Sequence, residues 1–351
     1  MNNTSEKIRI ESITKVFGPS PTRALPLIDA GLSKLAILEK TGLTVGLRDI
    51  SLSIPEGKIF VIMGLSGSGK STLIRHINRL IEPTKGRILV DGDNVLDMDP
   101  KSLETFRRHK VSMIFQKFGL LPHKTILENI GFGLKIRGVD KKERHETSSH
   151  WLNKVGLDGY ANVRPRQLSG GMQQRVGLAR ALATDPEILL MDEPFGALDP
   201  LIRRDMQDQL LDLQETLGKT IVFITHDLDE ALKLGHQIAI FKDGEISQAG
   251  LPSDIILHPK NDYVKAFARD IYRGKYLKAR ALMEEHAGSL ESGRLTIHPD
   301  DTLESLLPHI YKDQHDFLIV AQDGDVKGAI SKKVLLDTLA NTSEKSAYSE
   351  V

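Results

Sequence analysis

The eight residues from Gly64 to Ser71, GLSGSGKS, have the types and the spacing that bind a phosphate chain. They fit the pattern G-x-x-x-x-G-K-[ST] at every fixed position, between an apolar strand pattern and an amphipathic helix pattern. Glycines let backbone N–H groups close around an anion, and the start of the following helix adds positive potential. We expect Lys70 to reach the β- and γ-phosphates and the Ser71 hydroxyl to hold Mg²⁺. The predicted nucleotide contacts are Gly64, Ser66, Gly67, Ser68, Gly69, Lys70, Ser71 and Thr72.

Two adjacent acids end a second apolar strand pattern, ILLMDE at residues 188–193. On a parallel sheet this pattern brings Asp192 to the metal beside the phosphate loop, and Glu193 to the space beyond the γ-phosphate. We expect Asp192 to bind Mg²⁺, directly or through water, and Glu193 to polarise and position the attacking water. The alternative is that the two acids cap a helix, which the following Pro194 favours.

Two further polar residues follow apolar runs. Gln116 comes after VSMIF, and His226 comes after TIVFIT. Beside a phosphate loop, Gln116 is expected to coordinate Mg²⁺ or the lytic water, and His226 to contact the γ-phosphate. Taken alone, His226 reads as a structural histidine and Gln116 indicates nothing.

A second anion-binding pattern lies in LSGGMQQR, residues 168–175. Ser169, Gly170 and Gly171 open a helix there, where free backbone N–H groups point outward. One nucleoside triphosphate needs only one such helix end. The pattern therefore predicts that the second end serves a nucleotide held by another subunit, in a head-to-tail dimer with two-fold symmetry.

The elements around these residues alternate between strands and helices, which predicts an α/β fold with a mostly parallel sheet. Two strands are expected within residues 8–60, separated by helical periodicity from Ala24 to Lys40. The pairs Asp91-Gly92 and Asp243-Gly244 predict hairpin turns. Residues 101–180 read as mainly helical, and the last unit reads as strand, turn, strand and helix.

Composition bounds the class of protein. The 351 residues include 47 basic and 47 acidic ones, and 40% are hydrophobic, which excludes a disordered or fibrous chain. The absence of cysteine excludes a disulfide scaffold and a thiol nucleophile. Neither a signal sequence nor an apolar run of roughly 20 residues is present, so we expect the chain to stay in the cytoplasm.

Charge is distributed unevenly along the chain. Residues 281–351 carry six basic and 13 acidic residues, whereas the first 280 carry an excess of basic ones. Because the net charge changes sign at one point along the chain, we expect separate modules. Since no basic stripe with interleaved aromatic residues is present, we expect no nucleic-acid partner.

In order along the chain, these motifs resemble those of the ATP-binding-cassette (ABC) ATPases. GLSGSGKS resembles their Walker A motif, LSGGMQQR their signature motif and ILLMDE their Walker B motif. Gln116, GALD (ending at Asp199, in the loop that crosses the dimer interface) and His226 match the remaining elements. The resemblance implies a P-loop NTPase (RecA-like) core with an antiparallel β subdomain and a helical signature subdomain at about 101–180, within residues 1–275. It also implies two subunits that close on two ATP molecules with Mg²⁺ and drive a membrane permease.

A narrower resemblance covers residues 8–275 and includes an insertion at residues 19–43. It is to importers of quaternary ammonium osmolytes: glycine betaine, proline betaine, choline or proline. This implies a second copy of the chain, permease subunits and, indirectly, a solute-binding protein as partners, with the chain peripheral on the cytoplasmic side of the inner membrane. The alternatives are a small amino-acid-like substrate such as histidine, or a soluble non-transport ABC ATPase.

Three assignments rest on this resemblance alone. Phe17 is the candidate to stack on adenine, although the insertion separates it from the phosphate loop, and a core phenylalanine is the alternative. The groove that receives the permease is expected to have Phe118, Leu120 and Leu121 as apolar walls. Residues 276–351 form a regulatory or dimerisation module with one motif, at about 295–339, that is similar to cystathionine-β-synthase (CBS) domains; such motifs normally work in pairs.

Overall fold

A computed structural model describes residues 5–116, 119–284, 296–312 and 315–340. The chain divides into two compact units, residues 1–247 and 248–351. This division falls earlier than the boundary between residues 275 and 276 that the sequence predicts. The extent of the ATPase domain therefore stays a prediction.

The bounds of the elements in the described residues are as follows. The strands are β1 Glu6–Phe17, β2 Thr44–Pro55, β3 Ile59–Gly64, β4 Lys85–Val90, β5 Asp93–Asn94, β6 Val111–Ile114, β7 Ile188–Asp192, β8 Thr220–Thr225, β9 Gln237–Lys242, β10 Glu245–Gly250, β11 Thr296–Ile297, β12 Phe317–Gln322 and β13 Asp325–Ser331. The helices are α1 Leu25–Asp29, α2 Lys34–Thr41, α3 Lys70–Ile77, α4 Pro100–His109, α5 Ile126–Ile130, α6 Phe132–Ile136, α7 Lys141–Lys154, α8 Gly170–Leu182, α9 Pro200–Leu217, α10 Leu228–Leu234, α11 Pro252–Leu257, α12 Asp262–Ala268, α13 Arg273–Tyr276, α14 Leu303–Lys312 and α15 Lys332–Ala340.

Six strands form one sheet in the order β10-β9-β3-β8-β7-β6. β3 runs parallel to β8 and β9, and β7 runs parallel to β8 and β6. Every side chain of β3, β7 and β8 is buried, as expected of parallel strands covered on both faces. The α/β prediction is confirmed, and the parallel register brings the carboxyl ends of β3, β7 and β8 to one edge.

A second, antiparallel sheet has the order β2-β1-β4-β5, which confirms the predicted antiparallel subdomain. Asp91 and Gly92 both have positive φ, at 53° and 86°, so the predicted hairpin turn is confirmed. Asp243 and Gly244, at 49° and 74°, confirm the second one. Side chains of this sheet and of the parallel sheet meet in one core, including Ile10.

The insertion forms the short helices α1 and α2, which confirms the predicted helical periodicity. Ala24, Ile28 and Ile37 are buried against Val16 and Val45 in a small core of their own. The insertion therefore folds beside the sheet, and the chain returns to β2 directly opposite the end of β1.

The segment read as mainly helical contains a strand. β6 is the edge strand of the parallel sheet, with Val111 paired with Ile188 and Ile114 paired with Met191. A four-residue apolar run is too short for its periodicity to distinguish strand from helix, which is why the sequence missed it. The helices α5 to α8 come after this strand and pack around their own core, which includes Ile126.

The second unit contains α11 to α13 and a small α+β module. In the module β11 runs parallel to β12, β12 pairs antiparallel with β13, and α14 and α15 accompany them. The predicted order of strand, turn, strand and helix is confirmed, with Asp323 and Gly324 at the turn. Leu295, where the predicted CBS-like motif begins, lies outside the described residues. Among the described residues, no helix has the length and apolar character needed to cross a bilayer.

Candidate nucleotide-binding site

A cavity of about 380 Å³ lies at the carboxyl ends of the parallel strands. The described residues that line it are Phe17, Thr44, Val45, Gly46, Ser66, Gly67, Gly69, Lys70, Ser71, Thr72, Gln116 and Glu193. The fold therefore gathers in one place most of the residues that the sequence predicts for nucleotide contact, although they lie far apart along the chain.

The phosphate loop joins the end of β3 to the start of α3. Gly64, Gly67 and Gly69 have φ values of 152°, 81° and 101°, in the region that only glycine adopts readily. A Cβ at Gly64 would overlap the carbonyl oxygen of Phe241, and one at Gly69 would lie 2.6 Å from Cδ2 of Leu47. Glycine is thus required at both ends of the loop by backbone conformation and by neighbouring atoms.

Lys70 is a buried cation at the base of this loop. Its side chain is 4% exposed, and Nζ donates to the carbonyl oxygens of Gly64 at 2.8 Å and Leu65 at 3.0 Å. Nζ also lies 3.6 Å from Oε1 of Glu193. Burial lowers the pKa of Lys70, whereas the charge of Glu193 acts in the opposite direction. A buried ammonium at the start of a helix is suited to a polyanion.

The predicted metal ligands Ser71 and Asp192 are in direct contact. Oγ of Ser71 donates to Oδ1 of Asp192 at 2.7 Å, and Nη2 of Arg75 donates to Oδ2 at 3.1 Å. A hydroxyl and a carboxylate are oxygen ligands of the kind that Mg²⁺ prefers. The next helix, α9, is capped by Asp199, so the alternative that Asp192 and Glu193 cap a helix is wrong.

Glu193 is the centre of the catalytic group that the sequence predicts. Its Oε2 accepts a hydrogen bond from Nε2 of Gln116 at 3.1 Å and lies 3.5 Å from Nδ1 of His226. The backbone of Glu193 has a φ of 47°, which is rare for a residue with a side chain. Such conformations persist where the surrounding structure imposes them, and they cluster at functional sites. Glu193, Gln116, His226 and Lys70 therefore form one polar cluster.

Phe17 lines the same cavity despite the insertion. It pairs with Thr44 at the end of β1, and its ring is 40% exposed, so it is not a core phenylalanine. A Cβ at Gly46 would lie 2.6 Å from Cε2 of Phe17, so the ring lies close over the backbone of β2. Nζ of Lys15 is 5.1 Å from the ring centroid. A role in stacking on adenine stays a prediction.

The serine-glycine helix end is located elsewhere. Ser169, Gly170, Gly171 and Asp199 are not among the described residues that line the cavity. Oγ of Ser169 accepts the N–H of Met172 at 3.3 Å, which makes it the N-cap of α8. One chain does not bring these residues to its own phosphate loop, and their contribution to a partner's nucleotide stays a prediction.

Two residues with a place at the site, Arg75 beside Asp192 and Gly46 in the cavity lining, carry no signal that predicts them from the sequence. Arg75 holds Asp192 and lies one helical turn beyond Ser71, a spacing that places the two side chains on one face of α3. Gly46 passes under the ring of Phe17, and nothing in its sequence neighbourhood distinguishes it from an ordinary strand glycine.

A second cavity, of about 460 Å³, lies next to the edge strand β6 and the helices α4, α6 and α8. Its apolar lining includes Met113, Phe115, Phe132 and Ile136, and four arginines line it as well: Arg107, Arg108, Arg137 and Arg180. Phe118 lies outside the described residues. Leu120 packs instead against the helical core, and Leu121 is not among the described lining residues.

The chain is similar in sequence to known transport proteins. A family model described as "ABC transporter" matches residues 47–196. The chain is 48% identical over 340 residues to the glycine betaine transport ATP-binding protein OpuAA of Bacillus subtilis, covering 96% of this chain and 81% of that protein. It is 44% identical to the trimethylamine N-oxide transport system ATP-binding protein TmoW of Ruegeria pomeroyi, covering 97% of this chain and 98% of that protein.

Solved structures of ABC transporter cassettes are similar in fold to this chain. A dimeric bacterial ABC transporter cassette superposes with a TM-score of 0.60 at 35% identity, covering 70% of this chain and 98% of that one. A dimeric post-hydrolysis state of that cassette, bound to ADP and Pi, has a TM-score of 0.60 at 34% identity, with the same coverage.

Proposed function

Because this chain belongs to the ABC transporter family as an ATP-binding subunit, we propose that it hydrolyses ATP to drive the import of glycine betaine or a closely related methylated amine. The observation that carries the ATPase assignment is the convergence of Lys70, Ser71, Asp192 and Glu193 at one end of the parallel sheet. The substrate class is supported by the relatives that match nearly the whole chain.

Different residues are assigned to bind the phosphates, the base and the metal ion of ATP. Lys70 and the N–H groups of the phosphate loop bind the phosphates, and Phe17 stacks on adenine. Ser71, Asp192 and Gln116 are assigned to hold Mg²⁺. When bound, Mg²⁺ neutralises charge on the phosphate oxygens.

Hydrolysis needs a positioned water molecule and a group that accepts its proton. Glu193 is assigned that role because its carboxylate lies at the mouth of the phosphate loop. Gln116 and His226 both lie against Oε2 of this carboxylate, and Lys70 lies near Oε1. We assign to His226 the further role of sensing the γ-phosphate. This division follows the positioning and electrostatics by which phosphoryl transfer is generally catalysed.

The working unit is a head-to-tail dimer. Ser169, Gly170, Gly171 and Asp199 of one copy complete the site formed by the phosphate loop of the other. The location of these residues outside their own chain's cavity supports this assignment. The dimeric cassettes of similar fold support it as well.

The permease is proposed to dock in the arginine-lined cavity beside β6. Phe115, Phe132 and Ile136 offer an apolar floor. The described lining residues include four arginines against one acidic residue, Glu104, which pairs with Arg108, and this excess of positive charge favours a segment that carries acidic residues. We therefore assign this cavity to an amphipathic, acidic cytoplasmic segment of the permease. The chain would then lie peripherally on the cytoplasmic side of the membrane.

Trimethylamine N-oxide is the second candidate substrate. The relatives named for its transport match this chain from end to end, including the C-terminal module, whereas this chain covers 81% of the glycine betaine relative.

The α+β module is assigned to pairing with its copy in the second subunit, supported by the exposed apolar side chains of Phe317, Val334 and Leu336. Removal of residues 296–351 is then expected to weaken dimers, measured by sedimentation without nucleotide.

The test is transport by the whole complex. The chain, its permease and its solute-binding protein are reconstituted in vesicles, and uptake of labelled glycine betaine is measured with ATP on the cytoplasmic side. Unlabelled trimethylamine N-oxide, choline, proline and histidine serve as competitors, and the Glu193→Gln complex is the control. ATP hydrolysis without uptake of any methylated amine would refute the substrate class.

A further inference from the structure

The tip of α8 rests on the first turn of α9. A Cβ at Gly171 would lie 2.5 Å from Cγ2 of Ile202, a distance that no real Cβ tolerates. At Gly170 the same construction meets nothing within 4 Å. Glycine is therefore required at position 171 by a contact within the chain, whatever a nucleotide requires there.

Ile202 cannot easily move aside. β-Branched side chains in helices have one strongly preferred χ1 rotamer, so a clash with Cγ2 must move a backbone instead. The turn that carries Ile202 is itself held in place. Asp199 accepts the N–H of Ile202 at 3.0 Å, and Nη2 of Arg203 donates to the carbonyl oxygen of Leu198 at 3.1 Å.

The same two turns of α9 reach the loop that carries His226. Nη1 of Arg203 lies 3.5 Å from Oδ2 of Asp227, the residue that follows the histidine. One turn later, Nε2 of Gln207 donates to Oε1 of Glu230 at 3.0 Å, and both of these residues are buried. Burial raises the pKa of Glu230, whereas its hydrogen bonds with Thr225 and Gln207 lower it.

We propose that the first two turns of α9 set the position of the serine-glycine tip relative to the His226 loop, with Ile202 and Gln207 as positioning residues. This inference rests on the proposed dimer, in which the tip serves the partner's ATP while His226 serves the chain's own. α9 then links the two ATP sites through contacts inside one subunit. Neither Ile202 nor Gln207 lines the nucleotide cavity.

The first test is rescue of Gly171→Ala by a second substitution. The added methyl group displaces the tip, and we expect kcat of ATP hydrolysis to fall about 10- to 100-fold, the cost of a misplacement near 1 Å. The Kd for ATP at the chain's own phosphate loop stays nearly unchanged. Ile202→Ala removes Cγ2 and restores most of the lost kcat in the double variant, whereas Ile202→Val keeps that atom and restores none.

Matched controls separate this role from a simple loss of stability. Each variant is checked by thermal melting, and Gly170→Ala, which does not contact Ile202, gains nothing from Ile202→Ala. The inference is wrong if Ile202→Ala does not raise the kcat of Gly171→Ala, or if Ile202→Val raises it equally well. A wild-type chain without ATPase activity would refute the proposed function instead.

Three variants keep the inference testable if Gly171→Ala does not fold: Ile202→Ala alone, Gln207→Leu, and the double variant of Gln207 and Glu230. Ile202→Ala alone leaves space behind the tip and should raise KM for ATP hydrolysis without changing the Kd for ATP; unchanged kinetics would refute the role of Ile202. Glu230→Gln combined with Gln207→Glu restores the buried hydrogen bond in reverse. Gln207→Leu removes this hydrogen bond and should lower kcat, and the double variant should recover the lost kcat. Failure of a folded double variant to do so would refute the link to the His226 loop.

Discussion

Oγ of Ser71 donates a hydrogen bond of 2.7 Å to Oδ1 of Asp192, across 121 positions of the sequence. The bond joins the first turn of α3 to the end of β7. In the sheet, β7 is separated by one strand, β8, from β3, the strand that leads into the phosphate loop. It puts a hydroxyl and a carboxylate side by side where phosphates and a hard cation are expected.

Asp192→Asn is expected to raise the Mg²⁺ concentration needed for half-maximal ATPase activity. The amide keeps the size of the side chain and a hydrogen bond with Ser71, but it lacks the charge that attracts the cation. The measurement is ATP turnover as a function of Mg²⁺ at fixed ATP. Asp212→Asn, which changes an exposed carboxylate on α9, serves as the comparison, and an identical Mg²⁺ dependence in wild type and Asp192→Asn would contradict the assignment.

Glu193→Gln is expected to lower kcat about 10²- to 10⁴-fold while ATP still binds, because the amide cannot accept a proton from water. Single-turnover hydrolysis and the shift of thermal melting by ATP give the two quantities separately. Near-normal turnover in this variant would remove Glu193 from the mechanism.

Mixing two inactive variants tests the sharing of sites. Lys70→Ala destroys phosphate binding, and Ser169→Arg blocks the tip that completes the partner's site, so each homodimer is inactive. In a head-to-tail mixed dimer both defects fall on one site and the other site is intact. The mixture should therefore regain single-turnover hydrolysis. If mixed dimers form and remain inactive, the head-to-tail arrangement is wrong.

Phe17→Ala is expected to weaken ATP binding by about 1–3 kcal/mol, the value of stacking a base on an aromatic ring. Binding of inorganic tripolyphosphate should not change, since it has no base. Phe17→Trp keeps a stacking surface and is the matched control. Equal losses for ATP and tripolyphosphate would show that Phe17 supports the loop and not the base.

His76 predicts a pH dependence of stability. Its side chain is buried, and Nδ1 lies 2.6 Å from the carbonyl oxygen of Ile81, which can only accept, so Nδ1 carries the proton. Burial lowers the pKa of His76 to about 4 from 6.5, partly offset by that hydrogen bond. Between pH 4 and pH 6.5, this histidine therefore binds more protons in the unfolded chain than in the folded one. The free energy of unfolding should therefore fall as pH decreases from 6.5 towards 4, by about 3 kcal/mol in total.

The check is urea unfolding at several pH values for wild type and His76→Asn. The asparagine amide can still donate to Ile81 but does not titrate, so the slope between pH 4 and 6.5 should flatten. His109→Asn changes an exposed histidine on α4 and serves as the control. Equal slopes in wild type and His76→Asn would refute the prediction.

Much of the site was readable from the sequence because its parts are contiguous. The phosphate loop lies in eight successive residues between a strand and a helix, and each of its glycines has a local reason in backbone conformation. The hairpins at Asp91 and Asp243 were readable for the same reason, since turn geometry depends on two adjacent residues.

Other features depended on distant contacts and were not readable. β6 is a strand because it pairs with β7, which lies more than 70 positions further along the chain. Phe17 reaches the cavity because the insertion folds into a core of its own and returns Thr44 to a place beside it.

The amino-acid sequence by itself determined which chemistry this protein carries, since residue types at fixed short spacings decide what a loop or a helix end can bind. Tertiary structure decided which of these parts meet. It placed Glu193 among Gln116, His226 and Lys70, and it pressed Ile202 against Gly171. The physical reason is that local conformation follows from neighbouring residues, whereas long-range contacts form only when the whole core packs.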